Sequence, residues 1–186
     1  MKPSLAPALL FALVSTPVLA AHWNVDTAKS KLGFGVQWSG QPFGATFRKW
    51  NANIDFDPND LAHAHVVATI DLASEASDSP DNDDGVQGAQ GFQVSQFPTA
   101  KFESASFTHG SGDQYAAKGF LTIRGVKKPI ALNFQLQITG DKAHMNGTAD
   151  VMRLDWGLGS GAEWSSEKPV SHKVGIFIDL NATKAR

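Results

Sequence analysis

The chain has 186 residues, with 16 Lys and Arg against 18 Asp and Glu, a formal net charge of −2 and no cysteine. A near balance without a Lys/Arg cluster argues against nucleic acid, or a strongly anionic membrane surface, as the main partner. Without disulfides the fold must be stabilised by its core, and a chain of this length buries about 70% of its unfolded surface in one domain.

The amino terminus reads as a secretory signal peptide. Lys2 precedes an apolar stretch from Leu5 to Leu13, and Val18-Leu19-Ala20 ends it with a small residue before a cut. The stretch is shorter than the roughly twenty apolar residues a membrane span needs, and Pro3, Pro7 and Pro17 oppose one continuous helix. Cleavage is expected after Ala20, leaving residues 21–186 as a single exported, soluble domain. The 12 Phe and 5 Trp against a single Tyr suit an interior meant for apolar contents, although an all-Phe core explains the same bias.

From Lys31 onward the hydrophobic period is two. Leu32, Phe34, Val36 and Trp38 share one face of a first strand, and Trp50, Ala52, Ile54 and Phe56 mark a second before the turn Asp57-Pro58-Asn59-Asp60. Ala64, Val66, Ala68, Ile70 and Leu72 form a third. Lys101 to Phe107 reads as a fourth with a bulge, because Phe102 and Phe107 fall out of phase. Tyr115 to Ile123 gives a fifth. Ile130, Leu132, Phe134, Leu136 and Ile138 alternate with polar residues in the sixth. Ala143 to Val151 gives a seventh, and Val170, His172, Val174, Ile176, Ile178 and Leu180 an eighth. Most connections are too short for parallel crossovers, so the expected fold is an all-β, eight-stranded antiparallel sheet, closed as a barrel or split as a sandwich.

One stretch breaks this rhythm. Residues 74–96 carry Glu75, Asp78, Asp81, Asp83 and Asp84, then Val86, Ala89 and Phe92 at near-helical spacing. The expectation is a polar loop followed by a short helix capping one end. As a calcium loop the stretch fails, since Pro80 and Gly91 would stand where carboxylates are needed. No metal site is expected. Nor does the chain offer a catalytic nucleophile: it has no Cys and no Gly-x-Ser-x-Gly elbow, and an inward His172 fits a core residue better than a catalyst. No enzymatic activity is expected.

Five ordered stretches, "DTAKSKLGFGV", "FGATFRKWNANIDFDP", "FQVSQFPTAKFES", "GFLTIRGVKKPIAL" and "RLDWGLG", resemble the YceI-like family of small exported lipid-binding proteins. The resemblance implies a lipocalin-like barrel rather than a sandwich, a periplasmic location, and a bound polyisoprenoid, either quinone-like (ubiquinone, for example) or a prenyl phosphate. No other cofactor is obligatory. Ser30, Leu32, Phe34 and Val36 match the family's opening strand, Phe92 and Phe97 its aromatic positions, and Arg153, Asp155 and Gly157 its motif after the seventh strand. The chain departs from the family at Trp38, where a histidine is usual, and at "DDGVQGAQGF", where Gly91 replaces the first of two adjacent phenylalanines.

Small inward residues on the third, fifth and seventh strands leave interior volume, which close packing disfavours as a void. The expected tunnel is walled by Phe34, Val36, Trp38, Phe134, Leu136, Ile176 and Ile178. Leu32, Phe92, Phe97, Arg153, Asp155 and His172 complete the candidate ligand-binding set. Arg153, Arg124 or Lys127 are the cations expected to meet a polar head. A carrier role follows, with a ligand-free interaction or stress-response barrel as the alternative. Transient contact with the inner membrane or a respiratory membrane protein, and pairing of two barrels, are left open.

Overall fold

The computed structural model describes residues 20–186, so the expected leader, apart from Ala20, lies outside the described residues. Eleven strands form one antiparallel sheet: β1 (His22–Val25), β2 (Lys31–Trp38), β3 (Gln41–Phe47), β4 (Trp50–Asp55), β5 (His65–Asp71), β6 (Glu75–Ala76), β7 (Thr99–His109), β8 (Gln114–Ile123), β9 (Val126–Thr139), β10 (Lys142–Met152) and β11 (Lys173–Lys184). Among the described residues a single α-helix, α1 (Pro80–Gln87), interrupts them between β6 and β7.

The pairings close a ring in the order β1-β4-β5-β7-β8-β9-β10-β11, with β11 returning to β1. β11 carries β1 near its carboxyl end and β2 nearer its start, so β1 and β2 share one edge of it. Likewise β3 runs on into β4, and β5 into β6. The molecule is therefore an eight-stranded barrel in which three neighbouring strands are each bent into two segments. Side-chain and main-chain bonds stitch the bends together. Asn181 N–H donates to Ser30 Oγ (2.9 Å) at the first, and Arg48 N–H donates to the Ser74 carbonyl (3.0 Å) between the second and third.

The bent segments are what periodicity missed. β1 and β6 have four and two residues, too few to show a period, and Pro42 and Gly44 break the alternation in β3. The other expected strands form in the expected phase. β7 has its register shift between Ser104 and Ser106, which returns both Phe102 and Phe107 to the interior. Arg124 and Gly125, at φ of 50° and 73°, make the two-residue turn of the β8–β9 hairpin, a turn whose twist matches its strands. Two expectations need correction. The last strand begins at Lys173, since Val170 makes only an isolated bridge to Trp38. The helix also starts earlier, within the acidic run itself. Pro80 fits its first turn, and Asp81 and Asp83 there complement the positive end of the helix dipole.

Side chains from the inner faces form two packed groups, one toward each end of the barrel. One centres on Trp23, Phe56, Phe134 and Leu180, where Phe56 lies 5.4 Å from Phe107 and 5.8 Å from Tyr115 between ring centroids. The other centres on Leu72, Val86, Phe92 and Trp156, beneath α1 and the turns after it.

Candidate functional site

A cavity of about 280 Å³ runs between these groups, just below the roughly 300–1,000 Å³ usual for small-ligand pockets. Strands from every position of the ring contribute to its wall, and so do Val86, Gln90, Gly91 and Phe92 of the lid region. Every lining residue is apolar or glycine except Gln90 and Arg153. The two buried indoles in the wall have their N–H groups satisfied: Trp23 Nε1 donates to the Phe56 carbonyl (2.9 Å) and Trp156 Nε1 to that of Leu121 (3.1 Å). An apolar wall without open polar groups offers no acid, base or nucleophile. What it can do is take apolar surface out of water, at about 25 cal/mol per Å².

Arg153 carries a full charge into this setting at 4% exposure. Its N–H groups go to main-chain carbonyls of the following loop: Leu158 (2.7 Å), Gly159 (3.1 Å), Val170 (2.8 Å), Ser171 (3.0 Å) and Trp164. Burial pulls its pKa down and the Glu167 carboxylate pulls it back up. A planar fork with five donors suits this role, since it satisfies a whole loop from one point. Gly159, at φ of 68°, leaves room for the guanidinium where a side chain would collide with it. The loop thus gathered spans residues 158–171 and packs Trp164 against Trp38 at 5.0 Å between centroids.

The second wall of this end is α1. Gly85 lies against Trp164 and Trp38, and the chain then turns so tightly that a Cβ on Gly91 would overlap the Val86 carbonyl. That carbonyl accepts from Phe92 N–H at 2.7 Å, which drops the Phe92 ring into the barrel against Phe34 at 6.1 Å. Gln90, exposed at the rim, joins the two walls: its side-chain oxygen accepts from Gly161 N–H (3.2 Å) and its carbonyl from Gly159 N–H (2.6 Å).

The YceI-like domain model matches residues 23–182. The chain belongs to the YceI-like family. A UPF0312 protein of Vibrio cholerae is 28% identical over 169 residues, covering 85% of this chain and 89% of its own. A UPF0312 protein of Photorhabdus laumondii is 31% identical, covering 69% and 68%. Among solved structures, Burkholderia cenocepacia BcnA superposes with a TM-score of 0.82 at 29% identity, over 86% of this chain and all of its own. A Saccharophagus degradans domain described as polyisoprenoid-binding shares the fold, with a TM-score of 0.68 at 15% identity over 89% and 99%.

Within this YceI-like barrel, ten of the thirteen sequence-predicted site residues line the cavity. Leu32, Phe34, Val36 and Trp38 come from β2, Phe134 and Leu136 from β9, and Ile176 and Ile178 from β11, while Phe92 and Arg153 close the lid end. Three lie outside the lining. Phe97 follows the turn after α1 and packs near Gly125 rather than inward. Asp155 is exposed on a 3-10 turn, Arg153–Trp156, which aims Trp156 inward in its place. His172 precedes β11 and turns to Glu167 (3.2 Å) and the Ser165 carbonyl (2.9 Å).

The expected head-group cations all have partners within the protein. Arg153 is committed to the loop carbonyls. Arg124 donates to the Gly91 and Gly157 carbonyls (3.2 and 3.1 Å) and to Gln93 Oε1 (3.0 Å), while Lys127 lies over the Phe120 ring and 3.9 Å from Glu103. Nor do all the small inward residues supply space. Ala68, Ala117, Ala143 and Ala149 line the cavity, but Phe102 covers Gly119, and Leu132, Met145 and Phe134 crowd Gly147. Sequence reasoning missed Gln90, Trp164 and Glu75. Gln90 and Trp164 sit in stretches without periodicity, and Glu75 looked like one more carboxylate of a solvated run.

Glu75 is 3% exposed. β6 pairs it directly opposite Phe47, so its side chain points to the inner face, beneath α1. Gln87 Nε2 donates to its Oε2 (3.2 Å) and to its carbonyl (2.9 Å), and Oε1 has no partner. Burial is the main force on its pKa, with Gln87 opposing and Asp83 reinforcing, and it is pushed up from 4.5 to about 7.

Proposed function

We propose that this chain binds one long apolar lipid of the isoprenoid type inside its barrel and acts as a non-catalytic carrier or buffer for it. The carrying observation is the wall: apolar around the whole ring, with its one charge already satisfied by main-chain carbonyls. Such a cavity selects by length and dryness, and a hydrocarbon chain fits that chemistry. The Saccharophagus neighbour, described as polyisoprenoid-binding, supports extending that ligand class to this barrel.

At the lid end Arg153 and Arg124 are spent on carbonyls, while Glu75, Asp83 and Glu167 are acidic. An uncharged quinone-like head therefore suits the rim better than a prenyl phosphate. The reading includes export to the periplasm through the first twenty residues and transient loading at a membrane. The test is organic extraction of the purified protein followed by mass spectrometry, with thermal shifts on adding ubiquinone and octaprenyl phosphate. An isoprenoid in the extract and stabilisation by ubiquinone support the reading. Empty protein that responds to neither lipid favours a ligand-free interaction barrel, and cell fractionation tests the location.

A further inference from the structure

Most buried polar groups of this barrel are paired, and Glu75 is the exception. Among the described residues its Oε1 is the one buried side-chain oxygen or nitrogen without a hydrogen-bond partner. Leaving such a group unpaired is costly, and ionising it there costs more. The residue that meets its other oxygen, Gln87, belongs to α1, whose Val86 forms part of the cavity wall. The carboxyl is thus placed between the barrel and the element that closes it.

We propose that Glu75 is a proton-operated latch, holding α1 closed over the cavity while its carboxyl is neutral and releasing α1 when the proton leaves to water. The claim that lipid exchange follows rests on the function proposed above.

The surroundings give ionised Glu75 no relief. α1 offers Asp81, Asp83 and Asp84, all of one sign, with Asp83 closest and itself accepting from Ser77 N–H (3.1 Å) and Oγ. β3 has no charged residue, and the turn Leu72–Ala73–Ser74 has none. Arg48 and Lys49, at the end of β3, are exposed, and Asp71 accepts from Ala73 N–H. A new carboxylate in this pocket keeps one hydrogen bond from Gln87 and is repelled by Asp83. Lifting α1 admits water to it.

The direction in pH follows. Closed Glu75 titrates near 7, whereas a solvated carboxyl titrates near 4.5. The closed state holds the proton more tightly, so closure is firmest below pH 4.5, weakens as pH rises, and has lost this contribution above about 7. Each pH unit within that window changes the closing equilibrium by up to tenfold.

Two measurements test the latch on the full chain. Native-state hydrogen exchange, corrected for the intrinsic pH dependence of amide exchange, reads the opening constant of the α1 amides without any ligand. It is expected to rise at least tenfold from pH 5 to pH 8 in the wild type, and to stay flat in Glu75→Gln. The neutral dye N-phenyl-1-naphthylamine, transferred from the loaded protein to phosphatidylcholine vesicles, is expected to leave faster over the same range only in the wild type. An α1 opening constant independent of pH, or equally dependent in both proteins, overturns the latch even if lipid binds. A normal exchange result together with failure of both dye and ubiquinone to bind overturns the lipid reading and leaves the latch standing.

Discussion

The two ends of the barrel are closed by different physics. At the Trp23 end, rings carried on or beside strands meet one another: Phe56, Phe107, Tyr115 and Phe134 lie 5.4–6.5 Å apart, and the Trp23 indole caps the Phe56 carbonyl. Strands carry Phe107, Tyr115 and Phe134, and Phe56 directly follows β4 with its N–H donating to the Ala21 carbonyl (2.8 Å), so three of the four rings cannot leave without breaking the sheet. At the other end closure comes from non-strand segments, α1 with its turns and the 158–171 loop, held by Arg153, Gln90 and Glu75. A plug of ring contacts is held by packing, whereas a lid tied by polar side chains can be released by changing their charge. For the lipid proposed above, entry and exit are assigned to the lid end, because local opening draws on the parts of a fold with least strand support.

The largest effect should come from removing the tie that builds the lid. Arg153→Met leaves at least five loop carbonyls without their donor, and a loss of about 4 kcal/mol in urea unfolding is expected, since each buried unmet group costs about 1–3 kcal/mol and some regain water. Arg153→Lys should recover little of this, because an ammonium cannot reproduce the fork. Full recovery by lysine would show that charge, rather than geometry, organises the loop.

At the plug, Phe56→Ala should cost about 3 kcal/mol as a buried ring is lost and a void left. The comparison sharpens if hydrogen exchange in α1 is unchanged by that variant while exchange in β1 and β4 rises. Equal acceleration at both ends would mean that the barrel opens as one unit. Between the ends, Ala149→Phe places a ring in the cavity wall where an alanine at 5% exposure now stands. Ubiquinone affinity should fall about a hundredfold, roughly 2.7 kcal/mol, while the unfolding midpoint moves little. Unaltered affinity would place the lipid elsewhere.

The same contrast explains what the sequence made legible. Inward strand positions such as Phe134, Leu136, Ile176 and Ile178 follow from a period of two, because a pleated strand leaves no other face to the core. The bulge in β7 was readable too, from two phenylalanines in opposite phase. The lid end follows no period. In the sequence Arg153 looks like a cation for a head group, yet its partners are carbonyls spread over a loop, and no local pattern announces main-chain acceptors. Glu75 shared its appearance with Asp78 and Asp81, and only the pairing of β6 with β3 turns it inward. His172 follows from extending strand alternation back across the loop before β11, where alternation no longer applies, and Asp155 comes from the family motif, whose 3-10 turn leaves it exposed.

The smallest predicted effect isolates the lid's response to pH. Glu75 in the folded protein titrates near 7, above its solvated value of 4.5, so its contribution to stability is full below pH 4.5 and is lost as pH rises through about 7. Glu75→Gln removes that dependence while keeping a neutral group of nearly the same shape in the pocket. At pH 5 the variant and the wild type should unfold at nearly the same urea concentration. At pH 8 the variant should be more stable by about 1 kcal/mol, less than the whole shift implies, because opening of α1 lets water reach the carboxylate. The Trp23 end supplies the control: Phe56→Ala should lower stability equally at both pH values. A Glu75→Gln difference that is the same at pH 5 and pH 8 would assign Glu75 to packing alone and leave the two ends alike in their response to protons.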